Sequence, residues 1–177
     1  TNVEITTDIR SNELYDPEFK VPPLGMETHP NWEEVLLEYL SYENHLKTHV
    51  LINESIINEK ILDIYDLTLE DKNMVIAKEG ASIGSLPISV EAKNAFLSEE
   101  SATKNYPVVN IIDYINSLPI KDFTDEEKES VRTEFSSLYL SSNDIEELCI
   151  RHEVNPINIW FWFKQSNIIP RQRMHTL

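Results

Sequence analysis

The sequence predicts an all-α protein, and three observations carry that prediction. Only 3 Gly stand among 177 residues, against 9 Pro, and neither Asn-Gly nor Asp-Gly, the usual hairpin turns, occurs. From Asn31 to Glu79 there is no Pro and no Gly, while apolar residues recur at helical steps of three and four. The later segments open on residues that cap helices rather than start strands. Apolar residues make up 41% of the chain, enough for a real core, which excludes wholesale disorder. No run approaches the length of a membrane span, and no signal-like start is present.

Element by element, residues 1–30 hold Pro17, Pro22, Pro23 and Pro30 without a steady period. They read as an extended arm, disordered or laid over a partner. Trp32, Val35, Leu36, Tyr39 and Leu40 begin a helical stripe that Leu46, Val50, Ile57, Ile61 and Tyr65 continue. One long helix, or two broken between Asn53 and Asn58, is expected. Leu37, Leu51, Ile52, Ile56, Leu62 and Ile64 lie off that stripe. Helices apolar on more than one face are covered on more than one side, so a separate partner-binding face is expected here. Thr68 with Asp71 forms a capping start and Gly80 a stop. Ser89 suits the cap of a short helix through Leu97. Val108 to Leu118, between Pro107 and Pro119, predicts another.

The most informative stretch begins at Phe123. Thr124 and Glu127 make a capping box, and Asp125, Glu126 and Glu127 suit the positive end of a helix dipole. The helix that follows is expected to bury Val131, Phe135 and Leu138. A second helix starting near Ser142 carries Ile145, Leu148 and Cys149 inward. After the turn Glu153 to Asn155, Asn155-Pro156 is a strong start signal: Asn caps, and Pro takes the first position, where its missing N–H costs nothing. The third helix runs through Ile159, Trp162 and Phe163, three core residues on one face, to about Asn167. Pro170 prevents its extension. Three segments follow: the arm at 1–30, an acidic helical domain at 31–120, and a helix-turn-helix at 121–177.

Phe123, Val131, Phe135 and the pair Trp162-Phe163 are placed as in a homeodomain, and residues 123–173 resemble a divergent member of that family. The fold expected is therefore an all-α helical N-terminal region plus a three-helix, homeodomain-like helix-turn-helix. The resemblance implies a nuclear location and puts the base-reading positions at Phe161, Lys164, Gln165 and Ile168, with Arg171 and Arg173 on phosphates. Gln165 stands where the family has an adenine-reading Asn, and Gln can make the same paired contact with a longer stem. Only Lys121 is offered by the segment preceding the domain. Trp160 and Phe161 add large rings on faces that the family leaves to water or DNA, and these are the candidate protein-docking residues.

Charge weighs on the same question. The net charge is −16, and the only basic stretch, residues 154–177, carries Lys164, Arg171 and Arg173 with no acid. Duplex affinity comes from neutralising phosphates, and three cations offer few such contacts. The expected function is a non-enzymatic interaction or scaffold subunit of a nuclear transcription or chromatin assembly, partnered by its other protein subunits. The alternative is a sequence-specific DNA-binding homeodomain factor using duplex DNA through its third helix. No membrane, small-molecule or cofactor partner is expected. No phosphate loop, nucleophile elbow or HExxH occurs. His45 and His49 have metal-ligand spacing but no third ligand placed by sequence, and a solvated or partly buried pair is the better reading. The single cysteine, Cys149, excludes an internal disulfide, fits a reducing compartment and reads as a buried thiol.

Overall fold

The computed structural model describes residues 32–102, 111–141 and 144–166. The arm at 1–30, Val108, Ser142, Ile168, Arg171 and Arg173 lie outside the described residues, as do the side chains of Trp32, Val35, Leu36 and Tyr39. The described residues form seven α-helices and one 3-10 turn, and the fold is all-α.

Helix α1, Trp32–Ile64, is one unbroken element of 33 residues. This is the first of the two expected forms, one long helix without a break between Asn53 and Asn58, since no Pro there interrupts the backbone ladder. Chain reversal happens instead at Asp66, in the left-handed region at φ 51°. Helix α2, Leu69–Glu79, opens on the Thr68–Asp71 capping box and closes at Gly80. The two backbone N–H bonds of the box measure 3.1 and 3.2 Å, and Gly80 takes φ 88°, a value that suits a residue without Cβ. A 3-10 turn, Ile83–Ser85, leads to α3, Val90–Ala102. Ser89 caps α3 by accepting the Ala92 N–H at 3.2 Å; the helix runs past Leu97. Helix α4 spans Ile111–Ser117.

Helices α5, Asp125–Ser141, α6, Ile145–His152, and α7, Pro156–Ser166, make the helix-turn-helix region. The Thr124–Glu127 box closes with bonds of 2.9 and 3.2 Å. Asp144 caps α6, accepting the Glu146 N–H at 3.0 Å. Glu153 turns the chain in the left-handed conformation at φ 50°, where such turns often carry Gly. Asn155 then caps α7 by accepting the Ile157 N–H at 2.9 Å.

Two cores hold these helices, and both cross the expected domain boundary at residue 120. The first joins Leu40 of α1 to Val131, Phe135, Leu148, Cys149, Ile159, Trp162 and Phe163. Leu138 is only partly buried against it. The second joins Ile52 and Ile56 of α1 and Phe96 of α3 to Tyr114, Ile157 and Trp160. The acidic helical region and the helix-turn-helix therefore share their interiors, since α7 packs on α1 and α3 as well as on α5 and α6. Burial pushes the Cys149 thiol well up, with Glu146 and Asp144 adding in the same direction. An aromatic disulfide reagent should leave Cys149 unmodified in the folded protein and react fully in urea. Rapid modification without denaturant would show that the first core opens.

Polar groups tie the two halves as tightly as apolar ones. Asn158, fully buried, accepts the Ser89 N–H at 2.8 Å and donates to the Pro87 carbonyl at 2.9 Å. The Asn155 amide donates to the carbonyls of Gly84 and Leu86. Ile88 and Ile120 form an isolated parallel bridge, with the Ile88 N–H on the Pro119 carbonyl at 2.9 Å. Gly84 lies against α1, its N–H donating to the Ser55 hydroxyl at 2.9 Å. A Cβ there would stand 2.5 Å from Ser55 Oγ and 3.1 Å from the Leu51 carbonyl oxygen. Gly84→Ala must push the turn off α1, so a loss of about 1–3 kcal/mol is expected in urea unfolding. An unchanged midpoint would mean that the turn yields freely.

Candidate functional site

The third helix of the helix-turn-helix is where sequence places the chemistry, and α7 is apolar on two opposite faces. Ile159, Trp162 and Phe163 form one face and enter the first core. Ile157 and Trp160 form the other and enter the second. Positions three and four residues apart share a face, so Ile157, Trp160, Phe161 and Lys164 lie together. That is the face carrying the expected base-reading residues, and it is seated on α1 and α3 of the same chain.

Residue by residue, the expectations divide. Trp160 is 1% exposed, so the expectation of an exposed docking ring is corrected. It meets Phe96 edge-on at 5.1 Å and tilts toward His45 at 6.0 Å, because α1 and α3 supply the apolar surface that the ring needs. Phe161, the second candidate docking residue, is partly buried and packs against both cores. Lys164 forms an ion pair with Glu99 of α3, and its ammonium lies 4.9 Å from the Trp160 ring centre. A phosphate would have to displace both contacts. Gln165 is exposed. Ile168, Arg171 and Arg173 lie outside the described residues.

The histidine pair is neither solvated nor at the surface. His45 and His49 are 5% and 1% exposed, their rings tilted against each other with centroids 4.7 Å apart, and both lie beside Phe96. His45 Nδ1 stands 3.8 Å from a Glu99 oxygen. Among the described residues no group of three or more His, Cys, Asp or Glu side chains is placed to hold a metal ion. No described helix is long and apolar enough to cross a membrane.

A second feature was not assigned from sequence: a groove of about 690 Å³ between the later half of α1, α2, the 3-10 turn and α6. Its apolar wall includes Ile61, Val75, Ile76, Ile83 and Ile150. Ile61, Ile76 and Ile150 are 43%, 45% and 58% exposed. Glu54, Glu59, Glu79, Glu146 and Glu153 also line it, with no Lys or Arg among the lining residues. Burial raises the Glu54 carboxyl from its ordinary value, and the neighbouring Glu146 adds to the rise. Glu59 is raised by burial and then by Asp63, with Lys72 opposing. Burial is thus the main cause at both carboxyls, and a nearby acid adds to it in each case. The sequence signal was the set of apolar residues off the α1 stripe, of which Leu51 and Leu62 line the groove.

Comparison with protein-family models, curated proteins and solved structures finds no match for this chain.

Proposed function

We propose that this chain is a non-enzymatic interaction or scaffold subunit of a nuclear transcription or chromatin assembly. In this reading residues 123–173 form a homeodomain-like module that no longer reads DNA. The supporting observation is the seating of α7: Ile157, Trp160 and Phe161 of its would-be reading face pack on the rest of the chain. Lys164 of the same face is held by Glu99. Inserting that face in a major groove would require pulling it off α1 and α3, exposing a second core to water. The net charge of −16 opposes phosphate in the same sense. The nuclear setting rests on the resemblance of residues 123–173 to homeodomains.

Selection from a random duplex pool at physiological salt tests the reading directly. The full chain should enrich no sequence, and it should recover a defined set of proteins from nuclease-treated nuclear extract at constant stoichiometry. A nanomolar, sequence-selective duplex complex formed by this chain alone would overturn the proposal in favour of the DNA-binding alternative.

A further inference from the structure

We infer that the groove between α1, α2 and α6 is a docking site for a basic amphipathic helix of a partner protein. The inference rests on the reading of the chain as an interaction module and names where that interaction occurs. Helix α2 motivates it. Its 11 residues bury no side chain completely, and Leu69, Met74, Val75 and Ile76 are exposed. A helix this short is marginal in water without packing, yet this one is carefully terminated by a capping box and Gly80 and tied to α1 through Lys72 and Asp63. Two of its exposed apolar residues, Val75 and Ile76, line one groove with Ile61 of α1 and Ile150 of α6. Contiguous apolar surface with a polar rim is the usual form of a protein contact.

The rim selects the occupant. Five glutamates and no cation line the groove, so Lys or Arg flanking an apolar stripe is the complementary pattern. A second copy of this chain is disfavoured, because the same face would bring glutamates against glutamates. An extended peptide gains little, since the described residues form no sheet whose edge could pair with it. A helix satisfies its own backbone bonds and needs only the apolar seat and the charged rim.

The test uses the full chain and a labelled synthetic helix of about four turns, with Leu at i, i+3, i+4 and i+7 and Lys elsewhere. A scrambled peptide of identical composition controls for plain attraction to an acidic protein. At physiological salt the amphipathic peptide should bind at least about tenfold tighter than the scrambled one. Ile76→Asp with Ile150→Asp, both at exposed positions, should weaken it by about tenfold or more while leaving the unfolding midpoint unchanged. Glu54→Gln with Glu146→Gln should weaken it several-fold and reduce its salt dependence. Amide hydrogen exchange should slow across Leu69–Glu79 when peptide is added. Equal binding of the scrambled peptide, indifference to the aspartate pair, or protection confined to other helices would overturn the site. So would self-association of the chain through these residues. Loss of the groove with proteins still recovered from nuclear extract leaves the scaffold reading standing, whereas recovery of none removes that reading itself.

Discussion

Trp160→Ala is expected to cost about 3–5 kcal/mol of folding stability, the usual range for truncating a buried aromatic. The indole is 1% exposed and sits edge-on to Phe96, so its removal leaves a void bounded by α1, α3 and α7. Phe161 touches both cores, and a shift of α7 toward the void would disturb Trp162 against Phe123, now edge-on at 5.4 Å. Collapse is therefore hindered, which places the cost toward the upper end. Urea unfolding followed by fluorescence and by far-UV dichroism should show one shifted, cooperative transition. A docking ring would behave otherwise, losing a partner while the midpoint stayed at the wild-type value. That second outcome would return Trp160 to the surface and break the case against DNA reading.

The next largest loss is expected from Asn158→Leu, a change that keeps the number of side-chain heavy atoms and deletes the polar groups. The Ser89 N–H would lose its Asn158 partner in the interior, at about 1–3 kcal/mol, while the Pro87 carbonyl loses one donor and keeps the Asn155 N–H at 3.3 Å. The Ser89 turn also caps α3, so amide exchange should quicken at Ala92 and Lys93 before it does in α5. Asn158→Asp retains an acceptor for Ser89 but places a carboxylate in a buried site facing a carbonyl. It should be no better than Leu near neutral pH and should recover on acidification. A Leu variant as stable as wild type would show that water reaches these groups.

The capped starts at Thr68, Thr124 and Asn155 were legible because each is decided by bonds within three residues of chain. The aromatic core face of α7 was legible too, through the spacing of Ile159, Trp162 and Phe163. What escaped was the identity of the surface meeting the opposite face. Spacing shows that Ile157, Trp160 and Phe161 share a side, but a sequence does not say whether another chain or its own α1 covers it. Ile52 and Ile56 of α1 were likewise assigned to a partner-binding face, but they are buried, and the two sets answer each other in the second core. Lys164 was read as a base-reading residue because Glu99, its ion-pair partner, is 65 positions away in the chain. The division at residue 120 followed from the homeodomain-like stretch that starts at Phe123, and both cores draw residues from either side of it. The groove was half legible: surplus apolar residues on α1 were visible, whereas the approach of α6 to α2 is a tertiary fact.

The position of α7 in both cores also governs how the chain acquires its structure during synthesis. Ile52 leaves the ribosome roughly a hundred residues ahead of Ile157 and Trp160, an interval on the order of 5–20 s at ordinary elongation rates. For that time the inward side of α1 has no α7 to cover it, and neither core can close. Translation that stops before residue 157 yields a product without the helix that both cores share. Both cores are completed only by residues after the Asn155–Pro156 start, so their closing contacts are far apart in the chain.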